Sequence, residues 1–147
     1  MTHQLNFIYN DSDWICPAEY PDLSKATEIA IDLETKDPNI KTKGPGWATF
    51  DGHIVGFAVA ALGQQWYFPI AHDAGGNMDL SITCAWMQDI LKTDATKIFH
   101  NASYDVGWLL VNGFEIRGKI VDTMVAAAII NENRFSFSLN ACAKDYL

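Results

Sequence analysis

The segment 29–35, Ile-Ala-Ile-Asp-Leu-Glu-Thr, constrains the fold most, because apolar and polar side chains alternate along it. Successive side chains of a strand point to opposite faces, so Asp32 and Glu34 share one face while the aliphatic residues 29, 31 and 33 share the other. Two unpaired carboxylates one pleat apart raise each other's pKa unless a cation neutralises them. Hard divalent cations such as Mg²⁺ take oxygen ligands of this kind. The pattern therefore predicts a buried strand that ends in a candidate metal site, although acidic strand ends are also common on plain surfaces.

A second acidic element follows another apolar strand. Residues 97–100 read as a short buried strand, and a helix from Ala102 carries Tyr104, Trp108 and Val111 on one stripe until Asn112-Gly113. Asp105 lies in the first turn of that helix, where a carboxylate complements the helix dipole in any case. The dipole alone does not explain why a strand with two carboxylates precedes it.

The remaining pattern predicts a mixed sheet flanked by helices. An irregular leader covers residues 1–26 with one short strand at Leu5–Tyr9, and the Gly- and Pro-rich residues 36–52 form a long loop. The other expected elements are a first strand at 28–33, a hairpin of 54–62 and 65–70, a helix capped by Asp79 or Ser81 with Ile82, Trp86 and Ile90 buried, a strand near 120–121, and helices at 123–131 and from 137.

Both acidic motifs resemble those of the DEDD (DnaQ-like) 3′–5′ exonucleases. Asp32-Leu33-Glu34-Thr35 resembles their first motif, and residues 101–105, Asn-Ala-Ser-Tyr-Asp, resemble the second in its N-x-x-Y-D form. The similarity is strongest to the exonuclease domain of family A (Pol I-type) DNA polymerases, including phage versions. Segments 67–73, 113–118 and 121–124 also resemble that domain in the same order. The resemblance implies an RNase H-like fold.

The resemblance also implies a division of roles. Asp32 would bridge two Mg²⁺ or Mn²⁺ ions, Glu34 would bind the ion that holds the attacking water, and Asp105 would bind the other ion. Thr35 and Asn101 would contact the terminal nucleotide; the alternatives are that Thr35 only ends its strand and that Asn101 caps the helix. Tyr104 is expected in the core. Asp122 is expected to cap the next helix.

The family's third motif, Y-x-x-x-D or H-x-x-x-x-D, has no match here. Residues 138–147 resemble the helix before it, so we expect a single domain over 1–147 that is C-terminally incomplete, with an incomplete two-ion site and little activity of its own.

The net charge and the cysteine content limit the expected binding partners and cellular compartment. The net charge of −8 disfavours broad duplex binding but suits a nuclease whose cations bridge carboxylates and phosphate. Three widely spaced cysteines suit a reducing compartment and form no zinc knuckle. No apolar run approaches ~20 residues, so no membrane is expected. With the resemblance, the expected location is the cytoplasm of a bacterial or phage-infected cell.

The expected function is therefore a proofreading-type 3′–5′ exonuclease that acts on a single-stranded DNA 3′ end beside a polymerase domain in the parent chain. Two alternatives stay open at this point: an RNase D-like exoribonuclease, and a non-catalytic RNase H-like module that binds nucleic acid or a polymerase.

Overall fold

The protein is organised around a five-stranded sheet in the computed structural model, which describes residues 14–147. The strand order is β3-β2-β1-β4-β5, with β1 at the centre. Strand β2 is antiparallel to both of its neighbours, β1 and β3, whereas β4 is parallel to β1 and to β5. The strands are β1 (Glu28–Lys36), β2 (His53–Ala61), β3 (Gln64–Pro69), β4 (Thr96–Phe99) and β5 (Ile120–Asp122). The predicted mixed sheet is confirmed.

Six helices connect or follow the strands among the described residues. They are α1 (Ile40–Lys43), α2 (Gly46–Thr49), α3 (Leu80–Leu91), α4 (Ala102–Val111), α5 (Thr123–Ile130) and α6 (Leu139–Tyr146). The prediction of an unstructured loop at 36–52 was wrong, because β1 extends to Lys36 and two four-residue helices follow it. Helices of one turn are too short to leave a readable periodicity in the sequence.

One face of the sheet carries the apolar core. The aliphatic residues of β1 at 29, 31 and 33 are buried there with Phe57 of β2, beneath Met87 and Leu91 of α3 and Leu109 of α4. Burial of this apolar surface against two amphipathic helices is the main stabilising term of such a layer.

Two details of the predicted helix faces were wrong. Ile82 and Val111 are 57% and 46% exposed, respectively, because each lies at the margin of its helix's apolar stripe. Thr83 is buried on α3 instead, where its hydroxyl bonds to Tyr20.

The segment before β1 has neither helix nor strand over residues 14–27. It nevertheless packs on the domain, because Leu23 is buried and the ring of Tyr20 stacks on Phe68 at a centroid distance of 5.7 Å. The predicted strand at Leu5–Tyr9 lies outside the described residues. Within residues 14–147, none of the helices has the length and apolar character required to cross a membrane.

Candidate active site

Asp32 and Glu34 lie on the face of β1 that points away from the core. Both are exposed. Ile31, which precedes Asp32, and Leu33, which lies between the two, are buried, as the alternation predicted. Their partners on β2 are Ala58 opposite Asp32 and Gly56 opposite Glu34. Ala58 borders an open groove together with Asp32, whereas Tyr67 occupies the space over Gly56.

Asp105 reaches this place from the first turn of α4. Its side chain is only 3% exposed, and its Oδ1 accepts a hydrogen bond from the backbone N–H of Leu33 at 3.2 Å. Leu33 lies between Asp32 and Glu34 in the chain, so this bond attaches the third carboxylate to the strand segment that bears the other two. Asp105 is thus held beside the strand segment that carries Asp32 and Glu34.

The electrostatics of the three acids are unfavourable as they stand. Burial and the neighbouring charge of Asp32 raise the pKa of Asp105 to about 7, although the N–H of Leu33 favours the ionised form. Partial burial also raises the pKa of Asp32, which the nearby His100 offsets in part. Carboxylates whose pKa values are raised in this way are typical of sites that bind a cation.

The alternative interpretation of Asn101, that its side chain caps α4, is wrong. Asn101 has left-handed backbone angles (φ 67°, ψ 54°), and its side chain makes no hydrogen bond to the N-terminal N–H groups of α4. The carboxylate of Asp122 instead accepts from the N–H of Asn101 at 3.0 Å and from that of Ala102, the first residue of α4, at 2.8 Å. Asn is among the residues that tolerate the left-handed region.

Asp122 caps α5 as predicted, and it also holds α4. Besides the two bonds to the start of α4, its Oδ1 accepts from the N–H groups of Met124 and Val125. Burial opposes ionisation, but the four backbone N–H groups outweigh it and lower the pKa of Asp122. This double cap fixes the start of the helix that carries Asp105. The sequence predicted only the cap of α5 and missed the bonds to α4.

Thr35 does not end its strand; its hydroxyl contacts Tyr104. The Thr35 Oγ1 lies 2.9 Å from the Tyr104 hydroxyl, which in turn donates to Asp37 at 2.9 Å. Tyr104 was expected in the core, and its ring does pack against it. The polar role of its hydroxyl was missed, because neither partner is close to it in sequence.

Tyr67 borders the site on the side of Glu34. Its hydroxyl lies over Gly56, where an added Cβ would approach it to 2.1 Å, and it hydrogen-bonds to the Nε2 of His72. Burial and the charge of Glu34 raise the pKa of Tyr67 to about 12, so the phenol stays protonated at neutral pH.

An open groove runs from these residues across the sheet. It has a volume of about 1020 Å³ and is bordered by Asp32, Tyr67, His100, Trp14 and Ile98 among others. Both ring nitrogens of His100 are engaged, with the hydroxyl of Thr123 and the carbonyl of Phe137. His100 therefore has no free nitrogen to act as a general base.

Within residues 14–147, no three acidic, histidine or cysteine side chains lie close enough together, as they stand, to enclose a metal ion. Asp32 and Glu34 are exposed surface side chains with rotational freedom, and only Asp105 is held by a hydrogen bond. A cation would thus have to draw the two exposed carboxylates toward the fixed one.

Comparison with known proteins shows the family to which this chain belongs. A family model for the 3′–5′ exonuclease of A-type DNA polymerases matches residues 20–147. The DNA-directed DNA polymerase of Pseudomonas phage M6 is 31% identical in an alignment of 145 residues that covers 94% of this chain and 22% of that protein. This chain spans only about a fifth of the length of the curated relatives it matches.

Solved structures show the same fold. NrnC of Brucella melitensis with bound Mg²⁺ matches with a TM-score of 0.60 at 17% identity, over 85% of this chain and 55% of that one. Escherichia coli RNase D, an exoribonuclease involved in structured RNA processing, matches with a TM-score of 0.58 at 18% identity. The match covers 84% of this chain and 28% of RNase D. The predicted RNase H-like fold is confirmed. With the family match over residues 20–147, this chain belongs to the 3′–5′ exonuclease family of A-type DNA polymerases.

Proposed function

We propose that this domain removes nucleotides from the 3′ end of a DNA strand, using Mg²⁺ or Mn²⁺ held by Asp32, Glu34 and Asp105. The observation that carries the proposal is the bond between Asp105 and the N–H of Leu33, which fixes a buried carboxylate beside the two exposed ones. Phosphodiester hydrolysis requires neutralisation of the phosphate charge, and these three carboxylates would supply ligands for the cations that do so.

The donor set fits such cations. The pKa of Asp105 is raised by burial and by the neighbouring Asp32, and a divalent cation would supply the positive charge that favours its ionised form. All the donors are carboxylate oxygens, which Mg²⁺ and Mn²⁺ prefer. When bound, two such ions activate a water and stabilise the leaving oxygen of the phosphodiester.

The chain's own residues have distinct tasks in this proposal. Asp32, on the central strand of the sheet, would be the ligand shared by the ions, while Glu34 and Asp105 would each hold one. The N–H of Leu33 orients Asp105, and the double cap by Asp122 fixes the helix turn from which Asp105 projects. Thr35 and Asn101 contact the terminal nucleotide.

DNA is the preferred substrate because the family model and the curated relatives are DNA polymerases. The parent chain would carry a polymerase domain that delivers a single-stranded 3′ end, in the cytoplasm of a bacterial or phage-infected cell. An RNase D-like exoribonuclease is the second candidate, because RNase D shares the fold. A non-catalytic role is less consistent with the retention of all three acidic residues.

The test follows shortening of a 5′-labelled 20-nucleotide strand in millimolar Mn²⁺ over hours. We expect a ladder of products shortened from the 3′ end, which EDTA and the substitution Asp32→Ala abolish. An RNA strand of the same sequence, run in parallel, decides between the two nucleases. Equal shortening by wild type and Asp32→Ala would contradict the proposed site, and faster shortening of RNA would favour the exoribonuclease.

A further inference from the structure

The hydroxyl of Tyr67 occupies the place that a side chain at position 56 would take. A Cβ added to Gly56 would approach the Tyr67 Oη to 2.1 Å, so the phenol fits over β2 because residue 56 is a glycine. Gly56 is paired with Glu34 across β2 and β1, and the side chains of paired residues lie on the same face of a sheet. The Tyr67 hydroxyl is therefore the lateral neighbour of Glu34.

The strand register brings this hydroxyl within reach of the Glu34 carboxylate. The Cβ atoms of directly paired residues lie ~4.5–5.5 Å apart, so the Tyr67 Oη lies roughly 3–7 Å from the Glu34 Cβ. Glu34 is exposed and its side chain makes no hydrogen bond within residues 14–147, so a change of its rotamer can close this gap. The charge of Glu34 already acts on the phenol, because it adds to the effect of burial that raises the pKa of Tyr67 to about 12.

The Tyr67 ring is held in this position by its neighbours. Its hydroxyl is hydrogen-bonded to the Nε2 of His72, and the ring of Trp14 packs edge-on against it at a centroid distance of 5.8 Å. His72 is fixed in turn by Asn77, whose Oδ1 accepts from the His72 N–H at 2.7 Å and whose Nδ2 donates to the His72 carbonyl at 2.9 Å. The hydroxyl thus lies at a defined place beside a carboxylate that is free to rotate.

The phenol proton is available to Glu34 when His72 is the donor to Tyr67. An ionised carboxylate can only accept, so a hydroxyl that bonds to Glu34 has to donate its single proton there. The Nε2 of His72 then carries a proton and donates to the Tyr67 oxygen, as one of the two neutral tautomers of the ring does. The Nδ1 of His72 has no hydrogen-bond partner in the part of the chain that the structure describes, so no contact there opposes this tautomer.

We propose that Tyr67, held by His72 and accommodated over Gly56, is a positioning residue that holds the Glu34 carboxylate for the metal ion. Fixing an exposed glutamate costs side-chain entropy, which a hydrogen bond from a preformed donor offsets. Loss of such a partner of a metal-binding carboxylate typically weakens metal affinity about 10- to 100-fold. This inference rests on the proposed function for the role of Glu34 as a ligand, whereas the placement of Tyr67 beside Glu34 does not.

The test measures the dissociation constant of Mn²⁺ from the electron paramagnetic resonance signal of the free ion, which extends to weak, millimolar binding. Tyr67→Phe keeps the ring and removes the hydroxyl, and it is expected to weaken Mn²⁺ binding about tenfold. Gly56→Ala is expected to act in the same direction, because its Cβ displaces the Tyr67 hydroxyl. The matched control is Tyr20→Phe, because Tyr20 forms a similar hydroxyl contact with Thr83 of α3, at 2.7 Å. Its affinity for Mn²⁺ is expected to equal that of wild type.

A double-mutant cycle separates positioning from a merely structural role. In the Glu34→Ala background, Tyr67→Phe is expected to leave the remaining Mn²⁺ affinity unchanged, because the carboxylate that the hydroxyl holds is gone. A structural role of Tyr67 would instead weaken binding by the same factor in both backgrounds, through displacement of Asp32 and Asp105.

Two results would overturn the inference: a Mn²⁺ affinity of Tyr67→Phe equal to that of wild type, or an equal loss of affinity with and without Glu34. Nucleotide release in Mn²⁺ is measured separately on wild type. Release without an effect of Tyr67→Phe on Mn²⁺ binding refutes only the inference. A loss of affinity that requires Glu34, without release, supports the inference and refutes only the proposed hydrolysis. Wild type that binds no Mn²⁺ contradicts both.

Discussion

The substitution Asp105→Asn is expected to stabilise the metal-free protein above pH 7. Asparagine has the same shape, and its Oδ1 can still accept from the N–H of Leu33, so the packing is kept. What is removed is the charge of a buried carboxylate beside Asp32, which the metal-free fold does not compensate.

The size and the pH dependence of this stabilisation follow from the raised pKa of Asp105. A displacement from 3.8 to about 7 corresponds to about 4 kcal/mol, at ~1.4 kcal/mol for each pH unit. Water in the open cleft screens the charge, so the expected gain at pH 8 is about 1–3 kcal/mol. Because the folded protein holds the Asp105 proton more tightly than the unfolded chain, its contribution to stability is greatest below pH 4. That contribution is lost as the pH rises through about 7.

Urea unfolding in EDTA, followed by tryptophan fluorescence at pH 5 and pH 8, measures this difference. The control is Asp89→Asn on the exposed surface of α3, which is expected to change stability by less than about 0.5 kcal/mol at both pH values. Saturating Mn²⁺ is expected to reverse the order, because wild type gains about 2.7 kcal/mol at a cation concentration of a hundred times Kd. A variant no more stable than wild type at pH 8, or a gain that is equal at pH 5 and pH 8, would refute the reasoning.

Three further predictions concern the scaffold and the activity. Asp122→Ala leaves the starts of α4 and α5 uncapped and is expected to lower the free energy of unfolding by about 2–4 kcal/mol in urea titrations. Gly107→Ala is expected to destabilise the fold by about 1–3 kcal/mol in thermal melts. The usual gain of alanine in a helix is outweighed by the contact of its Cβ with Trp47 at 2.5 Å. The 147-residue polypeptide is expected to release nucleotides at least about a hundredfold more slowly than a version that includes the third motif, in single-turnover assays, because a missing ligand leaves the site poorly organised.

Local patterns were sufficient for the parts of the site that lie on one element. The alternation along β1 placed Asp32 and Glu34 on one face, and the strand-to-helix order placed Asp105 in the first turn of α4. These features depend on periodicities of two and 3.6 residues, which are written directly in the sequence.

The rest depends on contacts between distant residues. Tyr104 reaches Thr35 and Asp37, which are 69 and 67 positions away, and Asp122 caps a helix that starts 20 positions before it. Such contacts leave no periodicity in the sequence, so Tyr104 was predicted as a core residue and the partners of its hydroxyl were missed. The burial of Asp105 likewise arises only when α4 packs against β1.

The central claim, that Asp32, Glu34 and Asp105 form a divalent-cation site, is tested most directly by calorimetric titration of Mn²⁺ into wild type and Asp32→Ala. Wild type is expected to bind at pH 8 and about tenfold more weakly at pH 6, because protons compete for Asp105 below its pKa of about 7. Asp32→Ala is expected to show no such binding at either pH. Equal binding of Mn²⁺ by the two proteins would contradict the account.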